Sequence, residues 1–233
     1  MSPFIGLFRL ADNLLRGELS PAPAPREHRL PILGSLVLVV VAYGMFYGGV
    51  MGSYGGPNGW RLWQAVYSAV KVPFLMMTTF LLSLPSFFVL NTLFGLRDDF
   101  GRVVRALVST QAGLTIILSA LAPFTAFWYV SGSQYQPAIL FNGLMFAIAS
   151  FSAQWVLRRE YTPLIARNSK HRWMLRTWII IYVFVGIQMA WVLRPFIGDP
   201  RAPVQFFREG SWSNAYEVVL QMIWDVMSGR GVR

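Results

Sequence analysis

Apolar residues along this chain are gathered into five long stretches, separated by short polar segments. We place the stretches at 31–50, 73–93, 103–130, 137–157 and 174–193. A helix that crosses the hydrocarbon core of a bilayer needs about 20 predominantly apolar residues. Backbone polar groups inside a bilayer must bond within their own segment, which favours helices. The pattern therefore predicts an all-α polytopic membrane protein, a bundle of five transmembrane helices.

Three shorter segments place apolar and polar residues on opposite faces at helical spacing. They lie at 4–15, 60–71 and 216–227, and the second carries tryptophans at the depth of lipid headgroups. We expect interfacial amphipathic helices, with packing of the first against the bundle as the alternative. The predicted domains are then a cytoplasmic N-terminal helix and proline-rich linker (1–29), the five-helix transmembrane domain (30–197) and an extracytoplasmic C-terminal tail ending in an amphipathic helix (198–233).

Composition and charge agree with lipid as the surrounding solvent. The 233 residues are 55% hydrophobic and 13% charged, whereas soluble domains are about 25% charged. The net charge is +10. Because the basic residues lie in the loops between apolar stretches, we expect anionic membrane lipids rather than nucleic acid as partners.

The distribution of basic residues predicts an orientation in the membrane. Thirteen of the 20 Lys and Arg fall in the N-terminal segment and in the second and fourth loops. Basic residues are retained in the cytoplasm, so the N-terminus is expected inside and the C-terminus outside, in the cytoplasmic membrane if the source is bacterial. The fourth loop is predicted to contact either anionic lipid or a protein partner through Arg158, Arg159, Arg167, Lys170, Arg172 and Arg176.

Catalytic chemistry has little support in this sequence. The chain has no cysteine, and its two histidines, His28 and His171, lack neighbours spaced as metal ligands. We therefore predict no catalytic residues, no metal and no cofactor. Asp98 and Asp99 lie in a tight polar turn at 97–102, where capping of the next helix by one of them is favoured over cation binding.

The polar residues near and within the spans are predicted to serve packing. Lys71 and Arg194 lie at span ends, where long side chains reach water. Three amides within spans are expected to hydrogen-bond between helices, with a polar path for a solute as the alternative: Gln111, Asn142 and Gln188. Three glycines spaced four apart form a face that admits another helix, of this chain, of a second copy or of another protein: Gly44, Gly48 and Gly52.

The stretch from Asn91 to Gly113 resembles Yip1-type membrane proteins, in which a span, a short glycine-containing turn and a phenylalanine precede the next span. The resemblance covers spans two to four. It implies five spans, a cytoplasmic N-terminal segment and a membrane-organising or trafficking role without catalysis. Thr110-Gln111-Ala112 departs from the family, which often has a proline there, and the C-terminal tail is longer.

Two functional hypotheses result. The first is a non-enzymatic integral membrane protein that acts as a scaffold or assembly subunit, or organises the membrane. Its partners would be other membrane protein subunits or a second copy of itself, together with anionic lipid. The alternative is a channel or facilitator for a small uncharged or anionic solute.

Overall fold

The computed structural model describes residues 3–18, 26–56, 61–132, 134–199, 201–208 and 212–217, and the regular secondary structure of these residues is helical. The predicted proline-rich linker and most of the last amphipathic segment lie outside these residues. The helices are α1 (Pro3–Arg16), α2 (Arg26–Gly52), α3 (Leu62–Leu93), α4 (Phe100–Val130), α5 (Tyr135–Arg167) and α6 (Lys170–Leu193), with a 3-10 turn at Arg97–Asp99. Five of them, α2 to α6, are long and apolar enough to cross a membrane, so the predicted fold class is confirmed.

The five long helices are arranged in the order α6–α3–α2–α4–α5. Helix α2 packs against both α3 and α4, while α5 packs on α4 and α6 packs on α3. The two outer helices, α5 and α6, touch each other at few positions. Only 6% of the most apolar window of α6 is buried, against 28% for α5. The arrangement therefore resembles a ring with one loosely closed seam between α5 and α6.

We call the two ends of this arrangement the basic end and the strap end. The basic end carries α1, the turn between α3 and α4, and the loop between α5 and α6. The strap end carries the start of α3, the turn between α4 and α5, and the segment after α6.

Helix α3 differs from the sequence expectation at its start. The segment at 60–71 was expected to be a separate interfacial helix, but from Leu62 onwards it is continuous with span two. Its polar face turns inward, and its apolar face turns outward, with Trp63 58% exposed. The expectation of a separate surface helix is wrong because the polar side chains of this face are bonded to backbone at the strap end.

The three glycines of α2 face α3 within the same chain. A Cβ on Gly48 would overlap the carbonyl oxygen of Ser68 and lie 2.9 Å from the Cα of Ala69. One on Gly52 would lie 2.7 Å from the Cα of Ala65. Since backbone cannot yield as a flexible side chain can, these glycines allow α2 and α3 to approach more closely than alanine would.

Helix α1 combines both arrangements considered from the sequence. Ala11 and Leu14 are buried against the bundle, whereas Phe8 is 65% exposed. Arg159 of α5 donates to the carbonyls of Leu14 (2.6 Å) and Leu15 (3.0 Å), two of the acceptors that a helix C-terminus leaves without a partner. The guanidinium thus fixes the end of α1 to the bundle while an apolar side of α1 remains outward.

Candidate functional site

Two adjoining cavities lie between the helices, and both have α5 on one side and α6 on the other. The central cavity has a volume of about 360 Å³ and is also lined by α3 and α4. The terminal cavity, of about 460 Å³, lies towards the strap end. Leu75, Phe146 and Ala190 line both cavities. The two cavities therefore share a wall and run along the seam between α5 and α6.

The central cavity is apolar with a few polar side chains. Trp178, Phe146 and leucines form much of its wall. Gln111 is buried, and its Oε1 accepts a hydrogen bond from the hydroxyl of Tyr182 at 3.1 Å. The hydroxyl of Thr79 is buried and has no hydrogen-bond partner among the described residues. An apolar cavity with few polar groups is the usual character of a small-molecule or lipid site.

The terminal cavity adds positive charge to an apolar wall. Arg194 and Arg208 line it together with Ile139, Phe196 and Ile197. No acidic side chain is found among the described residues that line it. The combination of hydrocarbon surface and guanidinium groups suits a molecule that is both apolar and anionic.

Residues Arg194–Gly198, which we call the strap, cross the end of the bundle without regular secondary structure. Such a segment must satisfy its carbonyl groups without a helix ladder. Each of its five carbonyl oxygens accepts a hydrogen bond. Three side chains of α3 bond to two of the carbonyls: Nζ of Lys71 to Pro195 (2.7 Å), and Nε2 of Gln64 (3.1 Å) and Oγ of Ser68 to Phe196. The other three carbonyls accept from the Tyr135 hydroxyl of α5 (3.3 Å, to Ile197), from Arg61 just before α3 (3.5 Å, to Gly198) and from the backbone N of Arg208 (3.3 Å, to Arg194).

Lys71 is the residue for which the sequence expectation fails most clearly. It was expected to extend to water, but it is fully buried. Its ammonium group donates to Pro195 and lies 4.9 Å from the ring centroid of Phe206. It forms no ion pair with an acidic side chain among the described residues. Burial of a cation is costly without such compensation, so the strap and the aromatic ring supply its partners.

The Arg194 guanidinium is held in a defined position at the cavity wall. It lies 3.3 Å from the ring centroid of Trp191, and its Nε is buried without a hydrogen-bond partner among the described residues. The backbone bond from Arg208 to Arg194 brings the two arginines together. Burial and the charge of Arg208 lower the pKa of Arg194 below its ordinary value. Two like charges thus meet at one cavity.

The three amides considered for a polar path are placed apart. Gln111 bonds α4 to α6 at the central cavity. Asn142 lines the terminal cavity, accepts from Tyr47 (3.1 Å) and donates to Tyr129 (2.7 Å). Gln188 lines neither cavity and is bonded to the chain near Ser213 (3.2 Å). All three join separate elements, and no single path contains them.

The basic residues assigned to the fourth loop lie in helices, because α5 continues to Arg167 and α6 begins at Lys170; the prediction of a loop there is wrong. Their surroundings are mixed. Arg159 holds α1, and Lys170 donates to the carbonyl of Phe94 (3.2 Å) near the end of α3. Arg167 lies 3.9 Å from Asp99. The three remaining members of the predicted set are exposed at the basic end: Arg158, Arg172 and Arg176, the last 5.1 Å from the Trp173 ring. Part of this basic set is therefore bonded to the protein itself.

An Asp99–His171 contact at the basic end was not foreseen from the sequence. Asp99 occupies the N-cap position of α4, but its carboxylate caps no backbone N–H, so the capping expectation is wrong for this residue. Instead it accepts from Arg102 at 2.5 Å and lies 3.3 Å from Nε2 of His171, which is fully buried. A charge-assisted bond to an arginine is stronger than a bond to a neutral backbone donor. Asp99 thereby joins the α3–α4 turn to the start of α6.

Searches against protein-family models, curated proteins and solved structures found no match to this chain. The resemblance to Yip1-type proteins therefore stays a prediction. The part of the chain that the structure describes holds no group of three or more His, Cys, Asp or Glu placed to bind a metal ion.

Proposed function

We propose that this chain is a non-enzymatic multi-pass membrane protein that binds an amphiphilic membrane molecule in the seam between α5 and α6. The observation that carries the proposal is the pair of adjoining cavities, which place apolar walls beside a cationic end. A lipid has the same division into a hydrocarbon part and a polar part.

The seam offers a route of entry from the bilayer. Neither cavity is enclosed on all sides, and each is bounded by α5 and α6, which contact each other at few positions. Helix α6 is also the least buried of the five long helices. A small displacement of α6 would therefore admit a lipid chain without separating the well-packed helices α2, α3 and α4.

Among the roles predicted from the sequence, a membrane-organising role through lipid binding is the one that this geometry supports best. A scaffold role would need a surface for other subunits, and the glycine face is occupied by α3 of the same chain. A facilitator would need a polar path, and the three amides are engaged in separate contacts. The proposal includes the predicted orientation, with the basic end of the protein in the cytoplasm. In that orientation the terminal cavity, with its two arginines, lies in the outer leaflet.

The test compares how much lipid the protein retains on purification before and after a bulky side chain is introduced into the cavities. The protein would be extracted from its native membrane in a mild polymer, and its bound lipids identified by mass spectrometry. Ala190→Phe places a ring where both cavities meet, whereas Ala126→Phe adds the same ring to an exposed position of α4 that lines neither cavity.

We expect the wild type and Ala126→Phe to retain lipid and Ala190→Phe to lose most of it. Equal retention by all three folded proteins would refute the proposal. A protein subunit recovered at equal stoichiometry without lipid would favour the scaffold hypothesis instead.

A further inference from the structure

We propose that the terminal cavity is the headgroup site for a phosphate-bearing anionic lipid, recognised by Arg194 and Arg208. This inference rests on the proposed function and adds the class of the bound molecule. It concerns the strap end of the protein, away from the basic loop to which anionic-lipid contact was assigned from the sequence.

The charged side chains that line the terminal cavity are basic. Arg194 and Arg208 line it, and no acidic side chain is found among the described residues that do so. An oxygen of Asp199 accepts the backbone N–H of Arg201 at 2.9 Å, and Asp199 does not line the cavity. Lys71 adds a buried positive charge behind the strap. Positive charges that converge at a low-dielectric cavity create a strong attractive potential for an anion.

The geometry of Arg194 is suited to phosphate. A guanidinium presents several N–H donors in one plane and binds phosphate oxygens in pairs. Stacking on Trp191 at 3.3 Å fixes that plane, and Arg208, whose backbone N–H donates to the carbonyl of Arg194, lines the same cavity. Arg194 lines the cavity as a half-buried residue while its Nε is fully buried, so the terminal N–H groups are the donors that a phosphate would meet.

The strap makes this arrangement rigid before any ligand is present. All five of its carbonyls are bonded, so it presents few acceptors that would compete for the arginines. Close packing contributes as well, because a Cβ on Gly198 would lie 2.8 Å from the Gln64 side chain. Groups held in position in this way lose little entropy on binding.

The apolar walls distinguish a lipid from a free anion. Ile139, Phe146 and Ala190 line the terminal cavity, and the last two continue into the central cavity. Along α6, Tyr182 of the central cavity precedes Arg194 by 12 residues, a distance of about 18 Å at the rise of an α-helix. A lipid whose phosphate meets the arginines can therefore lay one chain along the seam, whereas inorganic phosphate gains nothing from these walls.

The experiment compares lipids and variants on the purified full chain. Delipidated protein would be titrated with phosphatidylglycerol, with phosphatidylcholine, and with inorganic phosphate, and bound lipid counted by native mass spectrometry. The test variant is Arg194→Gln/Arg208→Gln. The matched control is Arg16→Gln/Arg97→Gln, which removes the same charge from exposed positions at the basic end that were not assigned to lipid contact.

We expect the wild type and the control to bind one phosphatidylglycerol at least tenfold more tightly than phosphatidylcholine. The test variant should lose that preference while still binding phosphatidylcholine. Since Arg194 is half-buried, the variant Arg208→Gln alone, at an exposed side chain, keeps the test valid if the double variant does not fold. It should reduce the preference at least threefold.

Three results would overturn the inference. If a folded variant kept its preference for phosphatidylglycerol over phosphatidylcholine, the two arginines would not be the residues that recognise the lipid. An equal loss in the control would show that net charge alone attracts the lipid. Displacement of the lipid by millimolar inorganic phosphate would indicate a site for a soluble anion. In each case the Ala190→Phe result still decides the proposed function, so the two failures are distinguishable.

Discussion

Replacing Gly48 with alanine should weaken the packing of α2 on α3 measurably. The new methyl group would overlap the Ser68 carbonyl oxygen and lie 2.9 Å from the Cα of Ala69. Extra volume in a packed interior costs about 1–3 kcal/mol, and we take the upper end because the neighbour is backbone. Alanine is favoured over glycine in a helix by about 1 kcal/mol. The expected net loss of stability is therefore about 2 kcal/mol.

Gly49→Ala is the matched control. Its Cβ would lie 3.9 Å from the Cβ of Ala69, an ordinary contact, so the helix-propensity gain of about 1 kcal/mol should stand alone. The two variants should then differ by about 3 kcal/mol, or about 6–12 °C in melting temperature. Thermal unfolding of both proteins in the same detergent, followed by size-exclusion fluorescence, measures the difference. Equal melting temperatures would refute the close approach of α2 and α3.

Three further predictions concern the strap, α1 and the orientation. Lys71→Met should lower the free energy of unfolding by about 1–3 kcal/mol in a thermal or denaturant assay, because the Pro195 carbonyl loses its hydrogen-bond donor. An unchanged free energy of unfolding would show that Lys71 does not stabilise the strap. Arg159→Gln should speed amide hydrogen exchange in residues 3–16 by at least severalfold, because it removes both hydrogen bonds to the end of α1. Arg158→Gln should not change this exchange. Equal exchange rates in the two variants would contradict the role of Arg159 in holding α1 to the bundle. Because the chain has no cysteine, single cysteines introduced at the exposed positions Ser131 and Ser169 report the orientation of the protein in the membrane. An impermeant maleimide added to intact cells should label Ser131→Cys and should not label Ser169→Cys. The reverse labelling would mean that the orientation is opposite to the predicted one.

The sequence predicts the helices well because a bilayer imposes a simple rule on length and hydrophobicity. Every predicted span corresponds to a long helix, and the ends at Leu93, Val130 and Leu193 coincide with those expected. The start of α3 differs because its amphipathic pattern is the same for a helix on a membrane surface and for one whose polar face is buried. The two arrangements differ in what the polar face contacts, which is water at a membrane surface and protein backbone in a buried helix.

The candidate site could not be assembled from the sequence for a related reason. The side-chain donors to the strap precede it by more than 50 residues along the chain, and the strap itself has no periodic pattern. The spacing of Gln64, Ser68 and Lys71 on one face was a usable signal, since three polar residues continue there into an apolar span. The contact of His171 with Asp99 spans 72 positions and depends on how α6 packs on α3, which hydrophobic patterning does not determine.

The most direct test of the central claim is to locate a lipid chain on the protein. The protein would be placed in nanodiscs that contain a phospholipid with a photoactivatable acyl chain, irradiated, digested and mapped by mass spectrometry. We predict that adducts concentrate on the cavity-lining parts of α5 and α6, around residues 142–154 and 179–190. They should exceed those on the exposed α4 residues Phe124, Ala126, Phe127 and Trp128. Adducts spread evenly over all outward-facing residues would contradict a lipid site between α5 and α6.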